Sequence, residues 1–523
     1  MLTSSILLLD VLAFGLACSL IALYRARRRR HSLPLPPGPK PWPLIGNLLD
    51  FPTQKPWVTY DKWGKTYGDI MSLNALGNTI IVVNSVGTAK ELLEKRGSAY
   101  SDRPSVPFLQ MMGMDFHLAL AHYPHPWRVR RKLIDRSLRK DATVQYRHVL
   151  KVKTEQLLRH LLDAPEAYAS HVTECVGSVL MGISYDYDVK GAEDRFLLIN
   201  DEAALIATES FLPGAALVNI LPSLKYLPGW LPGMGFKKRT ERGLELYEEI
   251  INVPFERVKQ QMRNGTARPS FTADNLAAYQ GLGDQGADME KEIKNAAATL
   301  YAGTSSYARS LISVQTASVI NAFLLMLANY PAVQQKAQAE LDAVVGRDRL
   351  PDWDDREHLP YAEAICKELT RWQPTIPLGV AHTATEDDIF EGYFIPKGSI
   401  ILPNIWGMLQ DPSVYTSPQT FSPERHLNSE GNGVDDPLLS SAFGFGRRVC
   451  PGRYIAESTL WIAVVSILAT LNVGKAIDER GQEIPADVVF SDGLVSVPKP
   501  FKCSIVARDE LARQHILETA LKV

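Results

Sequence analysis

Cys450 lies near the end of a run of aromatic residues, glycines and arginines that could hold a reactive thiolate. The run is Phe443-Gly444-Phe445-Gly446-Arg447-Arg448-Val449-Cys450-Pro451-Gly452. A cysteine that ligates a metal must be a thiolate, which requires positive charge nearby and backbone N–H donors directed at the sulfur. Pro451 suits the first position of a helix and Cys450 its cap, so the amides that open the predicted helix from Gly452 to Asn472 can point at the sulfur.

The glycines and the second arginine of this run indicate what the thiolate would bind. Gly444 and Gly446 permit a tight turn that brings backbone against a flat macrocycle, where a side chain would collide. Arg448 has the reach and the fork geometry to bind a carboxylate, such as a haem propionate. The run therefore predicts a haem site in which Cys450 is the axial ligand of the iron.

Cys450 could instead be a buried structural cysteine or a zinc ligand. The chain has five cysteines, Cys18, Cys175, Cys366, Cys450 and Cys503. They contain no C-x-x-C pair, which argues against zinc. Cysteines so few and so scattered also argue against a disulfide framework and favour a reducing compartment.

Phe443, Gly446, Arg448, Cys450 and Gly452 have the spacing of the haem-binding signature of the cytochrome P450 family. The chain resembles that family from about residue 33 to about residue 505. The resemblance implies haem b (iron protoporphyrin IX) as the cofactor. It implies a haem-thiolate monooxygenase that inserts one oxygen atom from O2 into a lipophilic small molecule. The fold it implies is mainly α with a small β lobe.

Further residues match the family's propionate-binding positions. Trp127 and Arg131 are at i and i+4 of a predicted helix, so an indole N–H and a guanidinium share one face. By resemblance to the family's W-x-x-x-R helix, both are assigned to a haem propionate, and His382 is a further candidate.

Electrons must come from a separate protein, because the chain contains no flavin or dinucleotide fingerprint. The resemblance implies a membrane-bound NADPH-cytochrome P450 reductase. Arg128, Arg130 and Lys132 are predicted to be solvated and free to attract its acidic surface.

Glu368 and Arg371 are at i and i+3 of a helix predicted from Leu359 to Trp372. In isolation such a pair would be a surface ion pair. With the downstream Arg425, however, it resembles the ExxR helix of the family and its arginine partner. The resemblance implies a buried network of Glu368, Arg371 and Arg425 that stabilises the core around the haem-binding loop. His426 stands where the family often has an aromatic residue, a difference expected to affect packing more than chemistry.

The proton relay is where the sequence departs from the family. The helix on the oxygen side normally carries an acid followed by a threonine, but after Gly303 this chain continues Thr304-Ser305-Ser306-Tyr307. The segment from Asn295 to Pro331 is about eight residues longer than the resemblance implies. A straight helix would shift one end by roughly 12 Å to absorb them, so either the helix bulges or the gene model is wrong.

Two registers remain open for the relay. In one, Ser305 or Ser306 supplies the hydroxyl over the iron; in the other, which we prefer, Thr316 does. A third possibility is that none of them relays protons. The altered relay leaves open a monooxygenase with changed proton delivery, a P450-fold isomerase or dehydratase, and a catalytically impaired haem protein.

The N-terminus predicts one transmembrane helix before the catalytic domain. Ile6 to Tyr24 is almost entirely apolar and long enough to span a bilayer, and a basic run ends it at residue 30. The predicted organisation is an anchor with a basic stop over residues 1–30, a proline-rich hinge over 31–50 and the catalytic domain over 51–523. Positive charge after the span indicates a cytosolic catalytic domain on the endoplasmic reticulum membrane. A cleaved signal peptide is the alternative.

Composition and local patterns complete these expectations. The chain has 523 residues, 46% of them hydrophobic, and its net charge of −2 makes nucleic acid an unexpected partner. Pro107 to Leu120 matches the family's variable loop over the haem. Phe211 to Phe236 is interpreted as a membrane-facing lid for a lipophilic substrate, with core packing as the alternative. Within the family, the chain resembles fungal secondary-metabolism enzymes related to O-methylsterigmatocystin oxidoreductases, which admits terpenoid, polyketide or aromatic substrates.

Periodicity predicts the elements that position these residues. Helices are expected from Ala142 to Leu161, Arg239 to Arg263, Ile312 to Leu327 and Tyr454 to Leu471. Strands are expected from Ile70 to Leu73, Thr79 to Val83 and Cys503 to Val506.

Overall fold

The computed structural model of the chain describes residues 33–43, 45–210, 217–281, 283–302 and 315–519. The predicted anchor from Ile6 to Tyr24 lies outside these residues. The chain divides into two compact units, here named the sheet unit (Met1–Pro104 with Ala381–Asn404) and the helical unit (Ser105–Val380 with Ile405–Val523).

The sheet unit contains a four-stranded sheet in the order β1-β2-β6-β3 and a separate hairpin, β4-β5. The strands are β1 (Ile70–Ala75), β2 (Asn78–Val83), β3 (His382–Thr383), β4 (Asp388–Phe390), β5 (Tyr393–Ile395) and β6 (Ile400–Pro403). β1 and β2 form an antiparallel hairpin whose two-residue loop, Leu76-Gly77, has positive φ at both positions, as a type I′ turn requires. β2 then pairs in parallel with β6.

Among the described residues, three α-helices and a π-helical turn, Glu91–Lys95, accompany this sheet. The α-helices are α1 (Pro56–Tyr67), α2 (Val86–Lys90) and α3 (Gly97–Tyr100). The Ser85 hydroxyl caps α2 by accepting a hydrogen bond from the Thr88 backbone N–H.

The helical unit is built mostly of α-helices with one small sheet. Its helices are α4 (Pro107–Met111), α5 (Trp127–Leu138), α6 (Arg147–Asp163), α7 (Tyr168–Tyr185), α8 (Arg195–Glu209), α9 (Leu217–Ile220), α10 (Phe236–Arg263), α11 (Phe271–Tyr279), α12 (Gly283–Ala302), α13 (Gln315–Asn329), α14 (Pro331–Val344), α15 (Pro360–Trp372), α16 (Ile405–Leu409), α17 (Arg453–Thr470) and α18 (Glu510–Thr519). β7 (Leu471–Lys475) and β8 (Cys503–Ala507) pair antiparallel.

α17 lies at the centre of this unit. It packs against α6, α13, α14 and α15, and most of its side chains are buried. Among the described residues it has the length and hydropathy to cross a membrane, and α13 with α14, bent by 105°, would make a second such segment if taken together. Its burial is typical of a core helix.

The predicted elements agree with the observed ones except at their ends. Residues 142–146 form a 3-10 turn ahead of α6, and α10 begins three residues before the predicted Arg239. The prediction that Cys450 caps a helix starting at Pro451 is wrong, because α17 begins at Arg453 with Gly452 as its N-cap. The first helical bond runs from the Ala456 N–H to the Gly452 carbonyl, and residues 451 and 452 form a turn.

Candidate functional site

The segment before Cys450 closes into a loop. The Cys450 N–H donates to the Phe443 carbonyl at 2.8 Å, which ties the two ends of the loop together. Between them, Gly444 (φ 83°) and Gly446 (φ 55°) adopt positive φ, a conformation that costs other residues 1 kcal/mol or so. The two glycines therefore serve the turn that the sequence predicts for them.

The surroundings of the Cys450 sulfur have opposing effects on the pKa of its thiol. Burial raises the pKa of the Cys450 thiol, whereas the Gly452 backbone N–H and the guanidinium groups of Arg131 and Arg453 lower it, and burial prevails. The predicted amide donor is present even though the helix starts later than predicted. Since a bound metal deprotonates a coordinating thiol outright, the thiolate would depend on the iron itself.

Trp127 and Arg448 are in contact beside this loop. The Arg448 guanidinium lies 4.5 Å from the centroid of the Trp127 ring and donates to the carbonyls of Leu118 and Ala121 at 3.1 and 2.8 Å. Trp127 is 5% exposed, and its Nε1–H has no hydrogen-bond partner among the described residues. A buried donor in this position favours an acceptor that the protein itself does not supply.

Arg131, one turn beyond Trp127 on α5, also contacts the segment that leads into Cys450. It donates to the Val449 carbonyl, one residue before the cysteine, and pairs with Asp135 at 2.7 Å. The loop thus supplies a sulfur ligand and the Arg448 guanidinium, and α5 adds an indole N–H without a partner among the described residues and the Arg131 guanidinium. This donor set fits haem, which needs a soft axial ligand and cationic or N–H partners for its propionates.

His382 and Phe443, two further residues predicted to contact haem, do not belong to the donor set formed by Cys450, Trp127, Arg131 and Arg448. His382 lies on β3 of the sheet unit, where it is buried and its Nδ1 is 2.7 Å from the Tyr100 carbonyl. Phe443 ends the 3-10 turn Leu439–Phe443 and is half-buried.

The predicted carboxylate–arginine network is present in the helical unit. Glu368 and Arg371 on α15 are fully buried and form two hydrogen bonds, at 2.8 and 2.9 Å. Arg425 donates to the same carboxylate at 3.0 Å, as does the Ser422 N–H. Burial raises the pKa of Glu368, but the bonds from Arg371 and His426 outweigh it and hold the pKa below its usual range.

His426, which was expected to affect packing more than chemistry, also forms polar contacts in this network. Its Nε2 is 3.0 Å from a Glu368 oxygen, its Nδ1 is 3.8 Å from Asp436, and its side chain is 1% exposed. His426 is therefore a fourth member of the buried network. The sequence did carry a signal for this role: a polar residue stands where the family usually has an aromatic one, and a buried imidazole needs hydrogen-bond partners.

Arg130 was predicted to be solvated, and this prediction is also wrong. It is buried, pairs with Glu292 of α12 at 2.6 Å and donates to the carbonyls of Asp115 and Phe116. The helical period explains the difference, since Arg130 faces the core while Arg128 and Lys132 are exposed on the other side of α5.

The proton-relay residues lie at the edge of the described region. Thr316 is the second residue of α13 and is half-buried, whereas Ser305 and Ser306 fall outside the described residues. On α12, the Thr299 hydroxyl accepts a hydrogen bond from the Leu118 N–H at 3.2 Å, and its one proton has two acceptors in reach, the Asn295 carbonyl at 2.9 Å and the Phe116 carbonyl at 3.2 Å. Thr299 thereby joins α12 to the loop ahead of α5, a role not foreseen from the sequence.

His117, in that same loop, was also missed. It is buried, its Nδ1 accepts a hydrogen bond from the Ala119 N–H at 3.2 Å, and its Nε2 has no partner within the described part of the chain. Burial and the nearby Arg130 lower the pKa of His117 to about 4, so its imidazole is neutral at physiological pH.

Comparison with known proteins supports the same assignment. The family model of cytochrome P450 matches residues 36–505. Cytochrome P450 monooxygenase 208 of Postia placenta is 39% identical over 519 residues, covering 98% of each chain. Cytochrome P450 monooxygenase claR of Ampulloclitocybe clavipes is 40% identical, covering 93% of this chain and 89% of its own. Cytochrome P450 monooxygenase COX2 of Coprinopsis cinerea is 38% identical, covering 96% of this chain and 95% of its own.

Proposed function

This chain belongs to the cytochrome P450 family and is a haem-dependent monooxygenase, and from that premise we propose that it is a membrane-bound fungal enzyme that oxidises a lipophilic secondary metabolite. The observation that carries the proposal is an exposed apolar segment ahead of α10. Tyr226 and Trp230 are 79% and 80% exposed, and Leu221 and Leu227 are exposed beside them. Apolar patches of this kind mark membrane or ligand contacts.

Haem ligated by a thiolate supplies reductive activation of O2. In the proposed arrangement, Cys450 ligates the iron while Trp127, Arg131 and Arg448 bind the propionates. The network of Glu368, Arg371, Arg425 and His426 holds the segment that leads into the Cys450 loop. A terpenoid, a polyketide or an aromatic compound remains an acceptable substrate class.

The first test is the carbon monoxide difference spectrum of the reduced full-length protein. We expect the red-shifted Soret band of thiolate ligation, and we expect Cys450→Ser to lose that band while Cys366→Ser keeps it. Cys366 is the control because it is another free cysteine of the helical unit, buried on α15. A wild-type band typical of neutral ligation would contradict the assignment of Cys450.

Proton delivery is proposed to use Thr316, with Ser306 as the alternative. If Thr316 relays protons, Thr316→Ala lowers the ratio of product formed to NADPH consumed at least several-fold, and Ser306→Ala leaves the ratio unchanged. The opposite pattern would select the other register. No change in either variant would mean that neither hydroxyl relays protons.

We propose that the electron donor is an NADPH-cytochrome P450 reductase that docks on a basic patch formed by Arg128, Lys132 and Arg447. The three are exposed, and Arg128 and Arg447 both donate to the Tyr123 hydroxyl at 2.6 Å. The Arg128 and Arg447 guanidiniums lower the pKa of Tyr123.

Charge reversal tests the docking proposal. Lys132→Glu should slow electron transfer from the reductase at low salt, and the difference from wild type should shrink as salt is raised. Lys336→Glu on α14 is the control. A rate that does not respond to Lys132→Glu or to salt would exclude this patch.

The altered acid–threonine sequence keeps a second candidate function open. A P450-fold isomerase or dehydratase would bind haem normally, yet it would convert its substrate without consuming NADPH when the reductase is present. NADPH consumption coupled to product would exclude it. For the monooxygenase we propose the endoplasmic reticulum membrane as the location, with a cytosolic catalytic domain.

A further inference from the structure

α6 and α7 of the helical unit bring together two histidines and a glutamate that the reaction does not use. His160 lies in the last turn of α6, and His171 and Glu174 lie on α7. The last two are at i and i+3, so they share one face of the helix. One ligand atom from each of the three residues lies within 4.8 Å of the others. We call this group the His–Glu cluster.

Its distances are close to those of a metal site. His160 Nδ1 is 3.7 Å from Glu174 Oε2, and the rings of His160 and His171 are 5.2 Å apart between centroids. Ligands of a tetrahedral zinc ion bound at 2.0–2.1 Å are about 3.3 Å apart. The ligand atoms of the cluster are therefore at most about 1.5 Å farther apart than in a zinc site, and zinc binding requires side-chain rotation to close that difference.

The orientation of His171 is the second observation. Its Nε2 is 3.0 Å from the Ala164 carbonyl, to which it can only donate a proton. The Nδ1 lone pair is therefore free to accept, and this buried nitrogen has no hydrogen-bond partner among the described residues. A metal-binding histidine commonly has this arrangement, with one ring N–H held by a backbone carbonyl and the other nitrogen on the metal.

We propose that His160, His171 and Glu174 bind one zinc ion, with water as the fourth ligand. Two imidazoles and a carboxylate are a common zinc donor set. A simple ion pair between a protonated His160 and Glu174 explains less, because it leaves His171 Nδ1 buried without a partner. Zinc would cross-link α6 to α7, and since α6 packs on α17, we expect it to stabilise the helical unit.

The test uses full-length, tag-free haem-loaded protein in detergent, freed of metal with a chelator and titrated with zinc alone. We expect one zinc per chain in wild type. His160→Ala and His171→Ala should each weaken binding about a hundred-fold, and Glu174→Gln about ten-fold or more. His148→Ala is the matched control, because His148 is an exposed histidine on α6 outside the cluster. Its binding should equal that of wild type.

Three further measurements exclude misfolding and adventitious binding. Zinc should raise the thermal unfolding temperature of wild type and His148→Ala but not of His171→Ala. His171→Asn, which keeps a polar side chain of similar reach, should retain the carbon monoxide spectrum yet bind zinc weakly. X-ray absorption at the zinc edge should detect two imidazole ligands. Absence of zinc binding in wild type, or undiminished binding in His171→Ala and His171→Asn, would overturn the proposal.

Discussion

At the scale of single residues, the buried polar atoms near Cys450 differ in how they are satisfied. Arg448 donates to two backbone carbonyls, whereas the Trp127 Nε1–H has no partner among the described residues. A buried donor left unsatisfied costs about 1–3 kcal/mol. A haem propionate would remove that cost, so Trp127 should matter more to haem retention than to the stability of the haem-free protein.

Trp127→Phe tests this expectation because it removes the N–H and keeps an aromatic ring. We expect haem to dissociate several-fold faster, while the unfolding free energy of the haem-free protein changes by less than about 1 kcal/mol. Trp353→Phe is the control, since Trp353 also has a buried Nε1 without a partner within the described ranges. Equal rates of haem loss in the two variants, measured by transfer to apomyoglobin, would contradict the role of Trp127.

His117 predicts how stability depends on pH. Its pKa is about 4 in the folded protein and about 6.5 when unfolded. Between these values the unfolded state binds a proton that the folded state does not, so stability falls as the pH is lowered from about 6.5 towards 4. The full effect is about 3 kcal/mol.

His117→Asn should therefore reduce the loss of stability between pH 7 and pH 5, because asparagine keeps an acceptor for the Ala119 N–H but does not titrate. Denaturant unfolding at the two pH values measures it. His358→Gln, at an exposed histidine, should leave the loss unchanged. An identical loss in wild type and His117→Asn would mean that His117 is protonated in the folded state.

At the scale of elements, α15 depends on a charge network that its sequence only partly reveals. Glu368 receives hydrogen bonds from Arg371, His426, Arg425 and the Ser422 backbone. The first partner is one helical turn away, so spacing predicts it. The others come from a segment more than fifty residues downstream, and the folded arrangement shows that His426 contacts Glu368.

Removing the carboxylate should cost more than removing one of its partners. We expect Glu368→Gln to destabilise the protein by about 3–5 kcal/mol, because Arg371 is then buried without its counter-charge. His426→Phe should cost about 1–2 kcal/mol, since three partners of Glu368 remain. Lys336→Ala removes an exposed ion pair with Glu424 and should cost less than about 1 kcal/mol. Urea unfolding ranks the three, and a His426→Phe protein as stable as wild type would remove His426 from the network.

At the scale of the whole molecule, each unit exposes apolar side chains of its own. The sheet unit exposes Trp42 and Leu49, within the predicted hinge, and the helical unit exposes Tyr226 and Trp230. Exposure of an indole to water is unfavourable, but an indole is well suited to a membrane interface. The core-packing alternative for the segment from Phe211 to Phe236 does not hold for these two helical-unit residues.

A nitroxide at position 230 tests membrane contact in the full-length chain. In lipid nanodiscs, spin-labelled Trp230→Cys should be more accessible to oxygen than to a water-soluble nickel chelate. Val144→Cys is the control, because Val144 is half-exposed in the same unit but outside the apolar segment, and we expect the reverse preference there. Preferential access of the nickel chelate to position 230 would contradict the lid.

Local sequence predicted the features that depend on neighbouring residues. Backbone preference predicted the positive-φ glycines before Cys450, and residue spacing predicted the Glu368–Arg371 pair. Apolar periodicity predicted the segments that form α6, α10 and α17. Helix ends were less predictable. Pro451 favours the first turn of a helix, yet residues 451 and 452 form a turn and α17 begins at Arg453.

The sequence by itself determined the family, the cofactor and the class of reaction, because the residues that define them lie within short motifs. Tertiary structure alone decided the burial and the partners of Arg130 and His426. Arg130 meets Glu292 and His426 meets Glu368 across long separations in the chain. The same is true of His160 and the His171–Glu174 pair, which face each other because α6 packs on α7. The cost of burying a charge or a polar atom depends on partners from distant segments, and no local pattern encodes them.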